Sequence, residues 1–509
     1  MVSHTSQFTH SVKPVPAEAV QAYDHETDVL VVGFGCAGAA VALEASGAGA
    51  AVTILERASG PGGSSALSGG EIYLGGGTPV QAACGFTDTA RDMAAYLIGA
   101  LGPDADEEKI HVYSEHSLEH FGWLAGQGVP FKESLWDSPT WVPPTDDGLM
   151  WMGEAAWPYN QQAAPAARGH RVQSEGFGGK VLMDRLVEAV STRTDAEVHA
   201  DTRALRLIVD EQGRACGVIA RRFGTDYAYR ARRGVVLTTG GFVDNEAMLA
   251  EHAPELVGSA KVSDSGDDGL GIVMAQAAGA AVRRMSTGQV GIQTIPGYMT
   301  RGIVVNGHGQ RFINEDVYPG LVGIEALYRQ GMNVWVVLDE EAFEDVPEEE
   351  RWGLQPTHVA ETVAELEKEM GLPENALQHT VAEYNRHAEN AEDPWFRKSA
   401  RWLRPLRAPF AAIDVRLGMA PPEGGSAGGN GAAVFTLGGL VTDTDGRVHD
   451  LDGGPIAGLY AAGRASSGLH GGGYISGTSL GPGTFFGRRA GLAAAGSATA
   501  GAEATGVQE

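Results

Sequence analysis

Asp28-Val29-Leu30-Val31-Val32 runs without a break into Gly33-Phe34-Gly35-Cys36-Ala37-Gly38, and this stretch constrains the chain more than any other. Four consecutive strand formers without polar alternation predict a strand buried on both faces, as in a parallel sheet. The glycines that follow satisfy Gly-x-Gly-x-x-Gly. The first permits a tight turn, the second a close backbone approach to a pyrophosphate, and the third packing of the next helix on the strand. A small-residue helix over 39–49 and a second strand over 51–55 complete a strand–helix–strand unit. Its helix N-terminus turns N–H groups toward an anion. Glu56, closing the second strand, can accept from a ribose hydroxyl. A lone glycine motif is weak evidence; with strand, helix and terminal acid in agreement, dinucleotide binding outweighs a turn that binds nothing.

The residues after Glu56 decide between NAD and FAD. The chain does not return directly to a third strand. It continues from Arg57 through Gly63-Ser64-Ser65-Ala66-Leu67-Ser68-Gly69-Gly70, small and hydroxyl-bearing residues that can follow phosphates toward an extended ring system. This favours FAD.

The 509 residues suffice for two or three domains with sizeable cores. A formal charge of −27 makes nucleic acid and anionic membrane surfaces poor partners. The 72 glycines follow no fixed period, which excludes collagen-like and repeat architectures and suits a backbone that approaches a ligand at many points. Cys36, Cys84 and Cys216 lie far apart without metal-ligand spacing, so no metal site is expected. Cys36 reads as a small packed side chain rather than a redox thiol. Residues 1–23 lack an apolar signal region, and no apolar run is long enough to span a membrane. The expected setting is soluble and cytoplasmic.

Residues 1–25 read as a loosely ordered arm. Helices are expected over 87–102 and, with Asp104 as N-cap, over 104–126. Residues 134–159 form a proline-rich loop carrying Trp136, Trp141, Trp151 and Trp157; packing of those rings on the body is favoured over an apolar pocket. A helix over 179–192 precedes strands at 198–209, 216–222 and 227–230, a small antiparallel sheet turning at Glu211-Gln212-Gly213. The run from Gly234 to Phe242 predicts a return to the parallel sheet. Ser265-Gly266-Asp267-Asp268-Gly269 opens a helix, and its aspartates either cap it or leave its N–H groups to an anionic group. From 283 to 431, strands at 302–305 and 333–338 alternate with acidic helices over 360–370 and 375–390, the texture of a second domain inserted into the first. The acidic run 339–351 reads as a solvated face. A flexible return linker is expected from Pro421 to Gly431, then strands at 438–442 and 458–463, a helix from Gly483, and a disordered tail over 495–509.

Further motifs accompany the dinucleotide unit and Gly62-Gly63-Ser64-Ser65. They are Thr239-Gly240-Gly241-Phe242, Val305-Asn306 with Gly309-x-Arg311-Phe312-x-Asn314-Glu315, and Tyr384-Asn385. Thr436-x-Gly438-Gly439-Leu440, Gly458-Leu459-Tyr460-Ala461-Ala462-Gly463 and Phe486-Gly487-Arg488-Arg489-Ala490-Gly491 complete the set. On these residues the chain resembles, over nearly all of 26–492, the flavoproteins grouped with fumarate reductase, succinate dehydrogenase and the 3-ketosteroid dehydrogenases. The resemblance implies an α/β fold. A Rossmann-like FAD-binding domain (26–282 and 432–494), a parallel sheet flanked by helices and a small antiparallel sheet, is interrupted by an α+β substrate-capping domain (283–431). Chemistry is then expected at the flavin N5 between the two.

The departures from that family are informative. Fumarate reductases hold a dicarboxylate with arginines and a histidine, because charged forks suit carboxylates. Where one of those arginines follows the Asn-Glu pair, this chain has Tyr318. Where another falls before the last helix, Gly468-Leu469-His470-Gly471-Gly472-Gly473 leads to Tyr474, and the histidine expected before Thr436 is Phe435. The result is similar to the ketosteroid branch. Tyr474-Ile475-Ser476-Gly477-Thr478-Ser479, with Tyr318, is most similar to the 3-ketosteroid Δ4-(5α)-dehydrogenases; the Δ1-dehydrogenases usually carry a Tyr-x-x-Pro-Gly sequence instead.

The resemblance thus implies an FAD-dependent dehydrogenase desaturating a 3-oxo-5α-steroid at C4–C5, with a steroid-like ketone as substrate and an external electron acceptor. Δ1-desaturation or ene reduction of a conjugated ketone is the alternative, and an FAD-binding electron-transfer or fumarate reductase-like subunit a second. A phenol, with an ordinary pKa of ~10, matches an enolate better than a carboxylate does. Tyr474 is assigned to polarise the carbonyl, Tyr318 to transfer the proton and Ser476 to relay it, and the two tyrosines are interchangeable at this level. Gly33, Gly35, Ala37, Gly38, Glu56 and Arg57 should hold the adenosine diphosphate half. Gly63, Ser64, Ser65, Ser68, Gly69 and Gly70 should run along phosphates and ring. Gly463, Ser479 and Leu480 should meet the flavin from the other side, with Ala204, Thr239 and Gly240 joining the cofactor set. No histidine stands at the early positions where covalent relatives attach FAD, so non-covalent binding is expected. The oligomeric state leaves no signal.

Overall fold

The computed structural model describes residues 11–417 and 430–496. Its largest sheet has nine strands. Glu197–His199, Val52–Leu55, His25–Val32, Thr225–Leu237 and Pro455–Ala461 lie side by side in parallel. Val29, Leu30 and Val31 are wholly buried, as an unbroken apolar run in the middle of a parallel sheet requires. The helix Cys36–Gly47 packs against the helix Leu480–Gly496. That contact needs small residues, because a Cβ added at Gly491 would lie 2.6 Å from the carbonyl oxygen of Val41.

Thr225–Leu237 is one strand of 13 residues, where the sequence suggests a hairpin strand and a separate return strand. Its first half pairs antiparallel with Ala215–Arg222, and its last three residues pair in parallel with Leu459 to Ala461. Hairpin and parallel core therefore form one continuous sheet. The expected strand 198–209 divides, with Asp201 in the left-handed region at φ 52° between Glu197–His199 and Thr202–Val209. The expected helix 104–126 is two helices, Glu107–Glu115 and Ser117–Gly126, and Asp106 rather than Asp104 caps the first by accepting from the Lys109 N–H. The last helix begins at Leu480, because Gly481-Pro482-Gly483 occupies its first turn, where a proline's missing N–H costs nothing.

The described part of the expected loose arm is docked. Val12 is buried, and Val15–Pro16 pairs with Ile208 and Val209. The tail from 497 and residues 418–429 of the expected return linker lie outside the described residues. The acidic run 339–351 is only partly a solvated face: Asp339 is buried and caps Glu340–Glu344, and Glu350 is buried as well.

Ile303–Asn306, Val334–Asp339, Phe410–Asp414 and His358–Ala360 form a separate four-stranded sheet. With the helices Val363–Glu369 and Ala376–Ala388 it encloses its own core around Ile303, Trp335, Leu366 and Leu377. Gly288–Ile292 and Ala432–Thr436 pair antiparallel. A further small sheet joins Glu71–Tyr73, Gly169–Arg171, Leu149–Met150 and Leu135–Trp136.

Three of the four loop tryptophans are held by the body. Trp141 Nε1 donates to the Thr294 carbonyl at 2.7 Å, Trp151 meets Phe86 edge-on at 5.3 Å, and Trp136 lies in the small sheet. Trp157 is exposed.

Candidate active site

A cavity of about 230 Å³ opens where the parallel strands end, lined there by Gly33, Glu56 and Thr238. This is where an open α/β sheet binds its ligand. Gly35 and Ala37, on the first turn of Cys36–Gly47, form one wall, and Arg57, Gly63, Ser64, Ser65 and Ser68 continue it. Ala204, Thr239 and Gly240 face them, and Gly463, Ser479 and Leu480 close the other end. Gly38, Gly69 and Gly70 do not line the cavity, but they let the chain pass at close quarters. A Cβ at Gly70 would lie 2.7 Å from Gly178, and one at Gly38 would lie 2.1 Å from the Gly33 carbonyl oxygen. Gly38→Ala is therefore expected to yield protein without FAD, checked by the flavin-to-protein absorbance ratio; a cofactor-saturated variant would contradict the close packing.

Glu56 holds the glycine turn itself: Oε2 accepts from Phe34 N–H at 2.8 Å and Oε1 from Ala58 N–H at 2.7 Å. Asp268 is a capping acid, accepting from Leu270 N–H at 3.0 Å, and it also pairs with Arg203 at 2.7 Å and Arg57 at 3.4 Å. Asp267 is buried and lies 2.6 Å from Arg464; burial raises its carboxyl pKa and Arg464 opposes the rise. Thr239 Oγ1 is buried beside the cavity with no hydrogen bond inside the chain. The helix N-terminus, the hydroxyl-rich wall and this unpartnered donor fit a dinucleotide.

At the inner end stand the aromatic residues. Tyr474 lines the cavity, with Phe435 edge-on at 5.2 Å and His470 stacked at 5.3 Å. Burial pushes the Tyr474 phenol up to about 12. His470 is held neutral, lowered to about 3 by burial, and bonds Thr478 Oγ1 at 2.8 Å. Tyr318, at the N-cap of Pro319–Gln330, lies outside the cavity wall, and its Oη is 2.6 Å from Ser476 Oγ. Burial, and then the neighbouring Tyr474, raise the Tyr318 phenol far above its ordinary value. Trp141 meets Tyr318 edge-on at 6.4 Å.

Glu71 and Arg464, both on the cavity wall, are not marked by the sequence motifs. Glu71 directly follows Gly69-Gly70, a position that reads simply as the start of a strand.

A parallel sheet with a cavity at its strand ends, walled by glycines and hydroxyls and bordered by Phe435 and Tyr474, is the arrangement of an FAD-dependent oxidoreductase. Residues 28–480 match the family described as FAD binding domain, and the chain belongs to that family. It is 46% identical to a 3-ketosteroid-Δ4-(5α)-dehydrogenase from Rhodococcus jostii RHA1, solved in complex with 4-androstene-3,17-dione; the TM-score is 0.90, over 95% of this chain and 99% of the other. It is 27% identical to the 3-oxo-5-alpha-steroid 4-dehydrogenase of Comamonas testosteroni, over 91% of this chain and 98% of that one. The fumarate reductase (cytochrome) of Shewanella frigidimarina is 26% identical over 94% of this chain and 78% of its own. Among the described residues, no helix is long and apolar enough to cross a membrane, and no group of three or more His, Cys, Asp or Glu side chains could hold a metal ion.

Proposed function

We propose that this chain desaturates a 3-oxo-5α-steroid between C4 and C5. The observation that carries the reading is the 2.6 Å contact between Tyr318 Oη and Ser476 Oγ, close to a second buried phenol, Tyr474, on the cofactor cavity. The 46% identical relative bound to a C4–C5 unsaturated 3-ketosteroid supports the substrate class. A dicarboxylate finds little here, since Arg464, whose guanidinium lies over the Phe435 ring, is neutralised by Asp267.

Bound FAD supplies the acceptor for the hydride that leaves C5. Tyr474, protonated over the whole ordinary pH range, donates to the carbonyl oxygen and stabilises charge that develops there. Tyr318 takes the α-proton from C4 while its own proton passes to Ser476. Because burial disfavours a free phenolate at Tyr318, the two transfers are concerted along the short hydrogen bond. FAD is held without a covalent bond in this reading, since no histidine lines the cavity among the described residues. Residues 283–431 act as the substrate-capping domain, a division supported by the second core on one face of their sheet, while the other face, with Val304, Val336 and Ile413, joins the main core. The electrons pass on to an external acceptor.

The test is anaerobic mixing of the FAD-loaded protein with a saturated 3-oxo-5α-steroid. Loss of the oxidised-flavin absorbance and a C4–C5 double bond in the product are expected, with no response to succinate. An unbleached flavin, or a double bond at C1–C2, overturns the proposal.

A further inference from the structure

Glu71 carries a buried carboxyl oxygen without a hydrogen-bond partner in a place where partners abound. It opens the strand Glu71–Tyr73 and stands directly opposite Arg171 in the antiparallel pair. Opposite charges at such positions ordinarily bond. Here the guanidinium is committed elsewhere: Nη1 donates to the carbonyls of Thr145 at 3.0 Å and Asp147 at 3.1 Å, and Nη2 to Gly176 at 2.7 Å and Ser174 at 3.4 Å. Glu71 Oε1 is buried without a hydrogen bond, and the residue lines the cofactor cavity. The bareness of Gly69 makes the seat, since a Cβ there would lie 2.4 Å from each carboxyl oxygen. The same strand runs against the catalytic loop, where Tyr73 N–H donates to the Gly477 carbonyl at 3.2 Å, one residue after Ser476.

We propose that Glu71 is the proton store of the site: it receives the proton that leaves the substrate by way of Tyr318 and Ser476, and keeps it while the cofactor carries the two electrons. This rests on the dehydrogenase reading above. The balance is closed. The substrate loses a hydride from C5 to FAD and a proton from C4 to the chain, the C4–C5 π bond forms, and both leave the protein when the external acceptor takes the electron pair. The physical cause is charge. A hydride entering the cavity adds one negative charge near an unpaired carboxylate, and a like charge favours the neutral acid. Of the groups facing Glu71, Tyr318 and Tyr474 are neutral phenols and Arg464 is paired with Asp267. Arg171 keeps its positive charge, because neutral carbonyls do not cancel it, but that charge is the same in both redox states and does not offset the change the hydride brings. Burial already raises the Glu71 carboxyl, and a hydrogen bond from its own backbone N–H and then the charge of Arg171 pull the other way.

The experiment needs no steroid, so its outcome is independent of the substrate test. The midpoint potential of bound FAD is measured against pH in the wild type, Glu71→Gln and Glu71→Asp. Between the pKa values of Glu71 in the two redox states, the wild type should take up one more proton per electron pair than Glu71→Gln, a slope steeper by about 30 mV per pH unit. Glu71→Asp should restore the steeper slope. Equal slopes in wild type and Glu71→Gln overturn the proposal. Redox-difference infrared spectra of the wild type give a second reading that survives a variant failing to hold FAD. A protonated carboxyl band gained on reduction is expected, and its absence refutes the assignment.

Discussion

Tyr318→Phe slows reduction of the bound flavin by a 3-oxo-5α-steroid by about 10²–10⁴-fold, the range for losing a general acid–base group, and leaves the cofactor's absorption spectrum unchanged. The separation of the two effects follows from position. Tyr318 is not on the cofactor cavity wall, so FAD should be retained. The phenyl ring keeps its edge contact with Trp141 and its packing on Gly320, where even a Cβ would come within 2.4 Å of the ring. What disappears is the oxygen 2.6 Å from Ser476, and with it any path for the α-proton. Stopped-flow reduction under anaerobic conditions measures the step directly. A phenylalanine variant reduced at the wild-type rate would remove Tyr318 from the chemistry.

Asp88→Ala costs about 3–5 kcal/mol of stability, the cost of stranding a buried charge. Asp88 and Arg168 are fully buried, with Arg168 Nη2 2.6 Å from Oδ1 and Nε 3.0 Å from Oδ2. Oδ2 also accepts from Gly76 N–H at 3.0 Å and Gln81 Nε2 at 2.9 Å, so truncation leaves four donor groups short of an acceptor. Glu154, whose carboxyl burial raises to about 7, is too reluctant an anion to replace Asp88 fully. The damage should reach the site. Arg168 N–H donates to Glu154 at 3.1 Å, Glu154 fixes Met152 N–H at 2.6 Å, and a Cβ on the intervening Gly153 would lie 2.5 Å from the Tyr318 nitrogen. Urea unfolding of the FAD-loaded protein measures the loss. An apolar double variant, Asp88→Leu with Arg168→Met, should recover much of it, because it removes the stranded charge along with its partner.

The cofactor end of the site is legible in the sequence because its determinants are local. Val29 to Gly38 encode strand, turn and helix within a few residues, and Glu56 follows one strand later. The Tyr318–Ser476 pair is legible only through kinship, since the two lie 158 residues apart and no periodicity links them. Glu71 escapes notice for a different reason. An acid at the start of a short strand ordinarily faces water, and only pairing with the distant strand Gly169–Arg171 buries it. Boundaries fail where caps compete. Asp104, the expected N-cap, is in the left-handed region at φ 65°, and Asp106 caps the helix two residues later. Thr225–Leu237 is read as two strands because the polar run Arg230 to Arg233 interrupts its hydrophobicity, although Arg232 pairs with Asp28 at 2.8 Å and the backbone continues.

The wall of the cavity formed by Gly463, Ser479 and Leu480 is synthesised more than 400 residues after the wall formed by Gly33 to Ala37. During synthesis the central strand Thr225–Leu237 waits with one edge bare until Pro455–Ala461 arrives to cover it. A nascent polypeptide therefore has no finished berth for its nucleotide until Leu480 has emerged. Without that nucleotide, the strand Pro455–Ala461 and the helix Leu480–Gly496 lack a ligand that would tie them to the glycine turn.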